Sequence, residues 1–332
     1  MFLTALSVDS LLPAEFEGTV IAVGCRTLSV RTRNDELVTL AAPALCDGPN
    51  RIRIDLPEGR GLDSVPFNRS GELQPGVHIC RKGPRIYTGL GIEIDLSGAR
   101  AWCGRADLAN DGCPSPGVAD SPGSRARSEA CPGPSEAALG PSEAALGQDR
   151  WPGTRREACR RAAALADAAA DATRTPAGDR CRASVGRGLG RFLDLARSLV
   201  GLGPGLTPTG DDILVGYLAA GLTRPESVAA SVARSLCCEL PSWSGRTGFI
   251  SAAYLRFAAQ DRFDQAILTA ACRCSPPHGG DDAGLCLGRG VLPDALSPLL
   301  HYGHTSGEDI ALGILLGLAW PLENMPWEVA EC

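Results

Sequence analysis

Gly-Leu-Gly-Pro-Gly-Leu-Thr-Pro-Thr-Gly-Asp-Asp-Ile-Leu-Val-Gly-Tyr-Leu, residues 201–218, has a shorter second copy in Gly-His-Thr-Ser-Gly-Glu-Asp-Ile-Ala-Leu-Gly-Ile-Leu, residues 303–315. Aligned, Thr209 falls on Ser306, Gly210 on Gly307, Asp211 on Glu308, Asp212 on Asp309, Ile213 on Ile310 and Gly216 on Gly313. Each copy sets a hydroxyl-bearing turn and two acids directly before an apolar run. That order reads as a helix N-terminus, where unpaired backbone N–H groups and the helix dipole are open to a ligand. One copy alone is explained by capping through Thr209 or Ser306. Two copies, both opening strongly apolar helices, predict a pair of helices whose N-termini frame one site. Gly216 with Ala220, and Gly313 with Gly317, put small residues four apart on one face of each helix. Two helix backbones can approach closely along such a face, as a buried central pair would.

Outward from these motifs the pattern stays helical from about residue 155. Helices are expected over 155–172, 190–200, 211–222, 225–240, 247–260, 262–274, 293–302 and 308–319, with Pro225 as a first helical residue. Residues 1–104 read differently. Short runs rich in Val, Leu, Ile and Thr at 16–23, 26–32 and 36–42 are punctuated by Gly24-Cys25 and Arg33-Asn34-Asp35. Residues 50–56 alternate as a half-buried strand does, and further strands are expected at 77–81, 85–88 and 92–96. Together they predict a small antiparallel β barrel or sandwich. Between the two regions, residues 105–154 are rich in Gly, Pro, Ser and Ala and repeat Gly-Pro-Ser-Glu-Ala-Ala-Leu at 133–139 and 140–146. A segment without apolar periodicity reads as a disordered low-complexity insert. The fold class is therefore α+β: an N-terminal β domain over 1–104, the insert, and a C-terminal helical domain over 155–332.

Composition narrows the chemistry. A net charge of -6 over 332 residues gives no basic face for nucleic acid. The Arg155-Arg156 and Arg160-Arg161 pairs, interrupted by Glu157, read as a solvated helix face. Lys82 is the only lysine. With no Gly-Lys pair before Ser or Thr there is no phosphate loop for a nucleotide, and the one lysine sits in an expected loop, which disfavours Schiff-base chemistry with PLP. No strand-linked Gly-x-Gly-x-x-Gly, Gly-x-Ser-x-Gly or His-Glu-x-x-His is present, so no flavin or dinucleotide site is expected either. Of the fourteen cysteines, Cys272, Cys274, Cys286 and His278 form the one cluster with a trace of zinc spacing. It lacks paired knuckles, so free thiols rather than zinc are expected. The first ten residues lack a basic, long apolar leader, and no apolar run is long enough to span a membrane, so a cytoplasmic location is expected.

The two turns are the candidate site. Gly201, Gly203 and Gly205 free the loop backbone to wrap an anion, and Thr207, Thr209, Thr305 and Ser306 add hydroxyl donors. Gly210 and Gly307 sit beside them in the first turns. Asp211, Asp212 and Asp309, with Glu308, fall where the dipole favours the ionised form, which suits Mg²⁺. Asp212, Asp309 and the neighbouring His304 are the candidates for catalysis, His304 as an acid or base near neutral pH. Between the copies, Arg246 and Thr247 open another helix as candidate anion contacts. Three other histidines, His78, His278 and His301, read as surface or core residues.

The two motifs, with the 247–263 segment between them and Asp47-Gly-Pro-Asn-Arg-Ile in the β region, resemble the family called domain of unknown function 2877, which includes the AllH subunit of oxamate carbamoyltransferase. The resemblance takes in most of the chain outside 105–154. It implies a subunit working with FdrA/AllF-like and AllG-like partners to exchange a carbamoyl group between oxalurate and phosphate, in purine and allantoin breakdown. A non-catalytic assembly subunit, or a stand-alone Mg²⁺-dependent hydrolase or transferase, are the other classes that these residues leave open.

Overall fold

A computed structural model describes residues 2–24, 26–56, 62, 75–105, 151–173, 182–225, 227–274, 295–297, 299 and 305–318. Most of the 105–154 insert, His301, His304, His278 and Cys286 lie outside the described residues. The chain divides into two compact units, one containing Met1–Gly104 and the other Gln148–Cys332.

The first unit is a closed barrel. Its strands are β1 (Phe2–Asp9), β2 (Glu15–Val23), β3 (Thr27–Thr32), β4 (Leu37–Ala41), β5 (Arg51–Ile54), β6 (His78–Lys82), β7 (Arg85–Thr88), β8 (Glu93–Asp95) and β9 (Arg100–Trp102). They run β5-β4-β3-β2-β6-β7-β8-β1, and β1 pairs back onto β5 to close the ring, with β9 added alongside β1. The sheet is mixed where sequence reasoning expected an antiparallel one, because β4–β5, β1–β8 and β1–β9 are parallel. Closure removes the free edges that an open sheet would expose. Both β1 and β9 escaped the sequence reading. In β1 the inward positions are Leu3, Ala5, Ser7 and Asp9, so the alternation is real but half of it is small or polar. The two polar members hold the turn that leads into β5. Ser7 and Arg100 donate to Asp47, and Asp9 accepts from the Asn50 amide at 2.6 Å while Asn50 takes a left-handed φ of 49°.

The second unit is helical: α1 (Trp151–Thr173), α2 (Arg182–Leu199), α3 (Thr209–Leu222), α4 (Val228–Trp243), a 3₁₀ turn (Ser244–Arg246), α5 (Phe249–Ala259), α6 (Gln265–Cys274) and α7 (Ser306–Gly317). Helix α4 starts three residues later than Pro225 suggested, because Ser227 caps it by accepting from the Ala230 amide at 3.1 Å. All of α3 is buried, and so is α7 but for its first residue and Glu308. They form the central pair expected from the repeat. A β-carbon on Gly216 would collide with the Ile310 carbonyl, and one on Gly313 with the Ile213 carbonyl. Ile213 and Ile310 are themselves equivalent, so the crossing is reciprocal: each helix offers a glycine to the same carbonyl of the other.

Candidate functional site

The crossing fixes the two helix starts beside each other, and the hydroxyls then act across the pair. Thr209 and Ser306 are not N-caps. Pro208 and Thr305 hold those positions, and neither end has a side-chain cap. Instead the Ser306 hydroxyl favours the charged form of Asp212 and the Thr209 hydroxyl that of Asp309, each acting on the acid of the other copy. Thr207, on the loop before α3, joins Ser306 at 2.9 Å and also contacts Asp212. Thr305 supplies its carbonyl to the amides of Glu308 and Asp309 at 3.1 and 3.2 Å. Gly210 and Gly307 are buried in the first turns.

Asp212 is 6 % exposed and Asp309 2 %, and in each the Oδ2 atom is out of water with no hydrogen-bond partner. This changes the electrostatics expected from the helix dipole. Burial pushes Asp212 well above the ordinary carboxylate range, with Asp309 and Asp211 adding to the rise and Ser306 and Thr207 opposing it. Burial raises Asp309 as well, opposed first by Arg155 and then by Thr209. The macrodipole contributes up to about 2 kcal/mol in favourable, partly buried geometry, less than the cost of an uncompensated buried charge. Desolvation wins.

Asp211 spends itself inside the protein. Its Oδ1 accepts from the Gly201 amide at 2.9 Å, and its Oδ2 from Thr247 at 2.5 Å and Ser251 at 2.7 Å. It therefore ties the glycine loop and the start of α5 to α3. Gly201, Gly203 and Gly205 all take positive φ, as the wrapping loop requires. At Gly201 the Arg246 carbonyl packs where a side chain would stand. Arg246 is exposed at the end of the 3₁₀ turn, and Thr247 faces Asp211.

Two participants escaped the sequence reading. Ser251 lies one turn after Thr247, a spacing that was visible but uninterpreted. Arg155 was read as part of a solvated face; instead it donates from Nη2 to Glu308 at 2.7 Å and to Asp309 Oδ1 at 3.1 Å, and from Nε to the same oxygen at 3.3 Å. Burial works against its charge, but Glu308 and Asp309 more than offset this. Nothing local in the sequence marks Arg155 among its neighbouring arginines. Cys272 and Cys274 lie on α6. Among the described residues, no group of three or more His, Cys, Asp or Glu side chains is arranged to hold a metal, and no helix is long and apolar enough to cross a membrane.

The family model of the oxamate carbamoyltransferase subunit AllH matches residues 199–318, which contain both copies of the motif and the segment between them. The resemblance read from the sequence is borne out over that stretch. No solved structure matches the chain.

Proposed function

We propose, taking the match over 199–318 as the premise, that this chain is an AllH-type subunit of an oxamate carbamoyltransferase-like assembly. Its partners are FdrA/AllF-like and AllG-like subunits in the cytoplasm. The assembly exchanges a carbamoyl group between oxalurate and phosphate, yielding oxamate and carbamoyl phosphate, in purine and allantoin breakdown. The crossing of α3 and α7 holds the small anionic substrate. One observation carries the site: Asp212 and Asp309, at paired helix starts, each keep one buried oxygen without a partner. Leaving a buried acceptor unpaired costs roughly 1–3 kcal/mol. An amide or carbamoyl N–H₂ is the donor that relieves it, while the helix N-termini favour the substrate's negative end.

Mg²⁺ is the second reading, because the same two oxygens are hard donors and Mg²⁺ is commonly held by one or two carboxylates plus substrate oxygens. When bound there it would screen the substrate's charge. Arg155 already sets a positive charge against Asp309, so an amide N–H meets less opposition there than a divalent ion does.

Calorimetric titration with oxamate, phosphate and carbamoyl phosphate, with and without MgCl₂, tests both readings on the chain alone and in the assembled complex. Binding should weaken by about tenfold or more in Asp212→Asn and in Asp309→Asn, the equivalent of one charge-assisted hydrogen bond. Affinity that appears only with MgCl₂ would select the metal. Full affinity in both folded variants would remove the site from the function.

A further inference from the structure

We propose that Arg155 is the residue that recognises the substrate's carboxylate or phosphate, and that Glu308 occupies that position until the substrate arrives. The proposal rests on the reading of the α3–α7 crossing as a substrate site and names the end of the substrate that Arg155 takes.

Arg155 divides its donors between two acids of unequal freedom. Asp309 is 2 % exposed and receives both Nε and Nη2. The Glu308 side chain is 50 % exposed and receives Nη2 alone, at 2.7 Å. An exposed ion pair of that kind contributes about 0–1 kcal/mol, so Glu308 can leave at small cost while Asp309 cannot. A guanidinium presents a planar fork suited to carboxylate and phosphate oxygens. The vacated place shares Arg155 Nη2 with Asp309, whose Oδ2 is unpartnered, and the carboxylate of Asp309 acts in turn on Asp212, whose Oδ2 is unpartnered too. A cationic donor beside acceptors in need of N–H groups describes a ligand with an anionic head and an adjacent amide nitrogen. The equivalent acid of the other copy, Asp211, has both oxygens engaged by Gly201, Thr247 and Ser251. Exchange is therefore confined to the α7 copy.

The test titrates wild type, Glu308→Gln, Arg155→Lys and Arg155→Gln with oxamate, with inorganic phosphate, and with acetamide as an uncharged amide. Removing the competing anion in Glu308→Gln should tighten oxamate or phosphate binding about two- to fivefold, within the worth of an exposed ion pair, and leave acetamide unchanged. A preference of the gain for oxamate marks a carboxylate as the head, and a preference for phosphate marks a phosphoryl group. Arg155→Lys should weaken the same anion, and Arg155→Gln should weaken it further. Relief of repulsion from Glu308 alone would tighten anion binding with or without the guanidinium, so the gain from Glu308→Gln should vanish when it is combined with Arg155→Gln, and a gain that persists in the folded double variant overturns the inference. Unchanged or weaker anion binding by Glu308→Gln, beside a wild type that binds, overturns this inference alone. A folded wild type that binds neither anion overturns the site reading and this inference with it.

Discussion

At the third residue of α3, Asp211 turns inward and ties two other segments to its helix; at the third residue of α7, Glu308 turns outward and meets one arginine at the surface. One residue further on, Asp212 has hydroxyl neighbours and no cation among the described residues, whereas Asp309 has Arg155. The backbone of the motif is duplicated and its electrostatics are not. Equal sequence at two places fixes equal geometry near the chain, but each side chain's charge is then set by what the rest of the fold brings to it. Here one half became a rigid anchor and the other kept a replaceable contact.

The comparison breaks most completely if the crossing itself is forced apart. Gly216→Ala and Gly313→Ala each place a β-carbon against a backbone carbonyl that cannot rotate away, so each should cost upwards of about 3 kcal/mol. Thermal melts should show both losing several degrees or failing to accumulate as soluble protein. Melting temperatures within a degree of wild type would mean that the helices are not in backbone contact.

The anchor and the replaceable contact should separate next. Asp211→Ala strands the Gly201 amide and the Thr247 and Ser251 hydroxyls and should cost about 2–3 kcal/mol. Glu308→Ala should cost no more than about 1 kcal/mol. Equal losses in denaturant titrations would erase the distinction.

Protonation sharpens the contrast between Asp212 and Asp309. The folded chain holds the Asp212 proton above the ordinary carboxylate value of 3.8. The unfolded chain releases it near that value, so this group's contribution is fully present below it and is lost as pH rises toward the folded value. Asp212→Asn removes the titrating group and should raise the melting temperature at pH 7 by about 2–4 °C, the shift that roughly 1 kcal/mol produces in a domain of this size. The gain should shrink as pH falls toward 4. Asp309→Asn should show a smaller gain, because Arg155 offsets part of the burial that raises Asp309. A matching gain in both would make the two acids electrostatically equal.

The smallest effect provides the baseline for the glycine result. Gly190 of α2 has open space where a β-carbon would stand, so Gly190→Ala should stabilise by about 0.5–1 kcal/mol through helix propensity alone. A loss there would mean that the cost at Gly216 is not specific to the crossing.

Much of this was legible where the signal is local. The paired apolar helices, the small residues four apart and the strand-rich first third all follow from short-range pattern. Strand β1 was missed because Ser7 and Asp9 take inward places that alternation assigns to apolar residues. The roles of the acids were legible only in part. Position in the first helical turn argued for ionised carboxylates, but their state depends on burial that the turn alone does not reveal. Arg155 was least legible, since it meets Asp309 across 154 residues of chain and looks like every other arginine on its helix.

At the crossing of α3 and α7, main chain rests on main chain: Gly216 on the Ile310 carbonyl and Gly313 on the Ile213 carbonyl. The gap between the two acids is consequently gauged by peptide units, as in a caliper whose jaws are locked at the pivot. Side chains elsewhere in the core can drift over evolution, changing size and shape, without resetting that gap. The spacing of the two helix starts should be inherited long after the surrounding sequence has diverged, for as long as the two glycines stay.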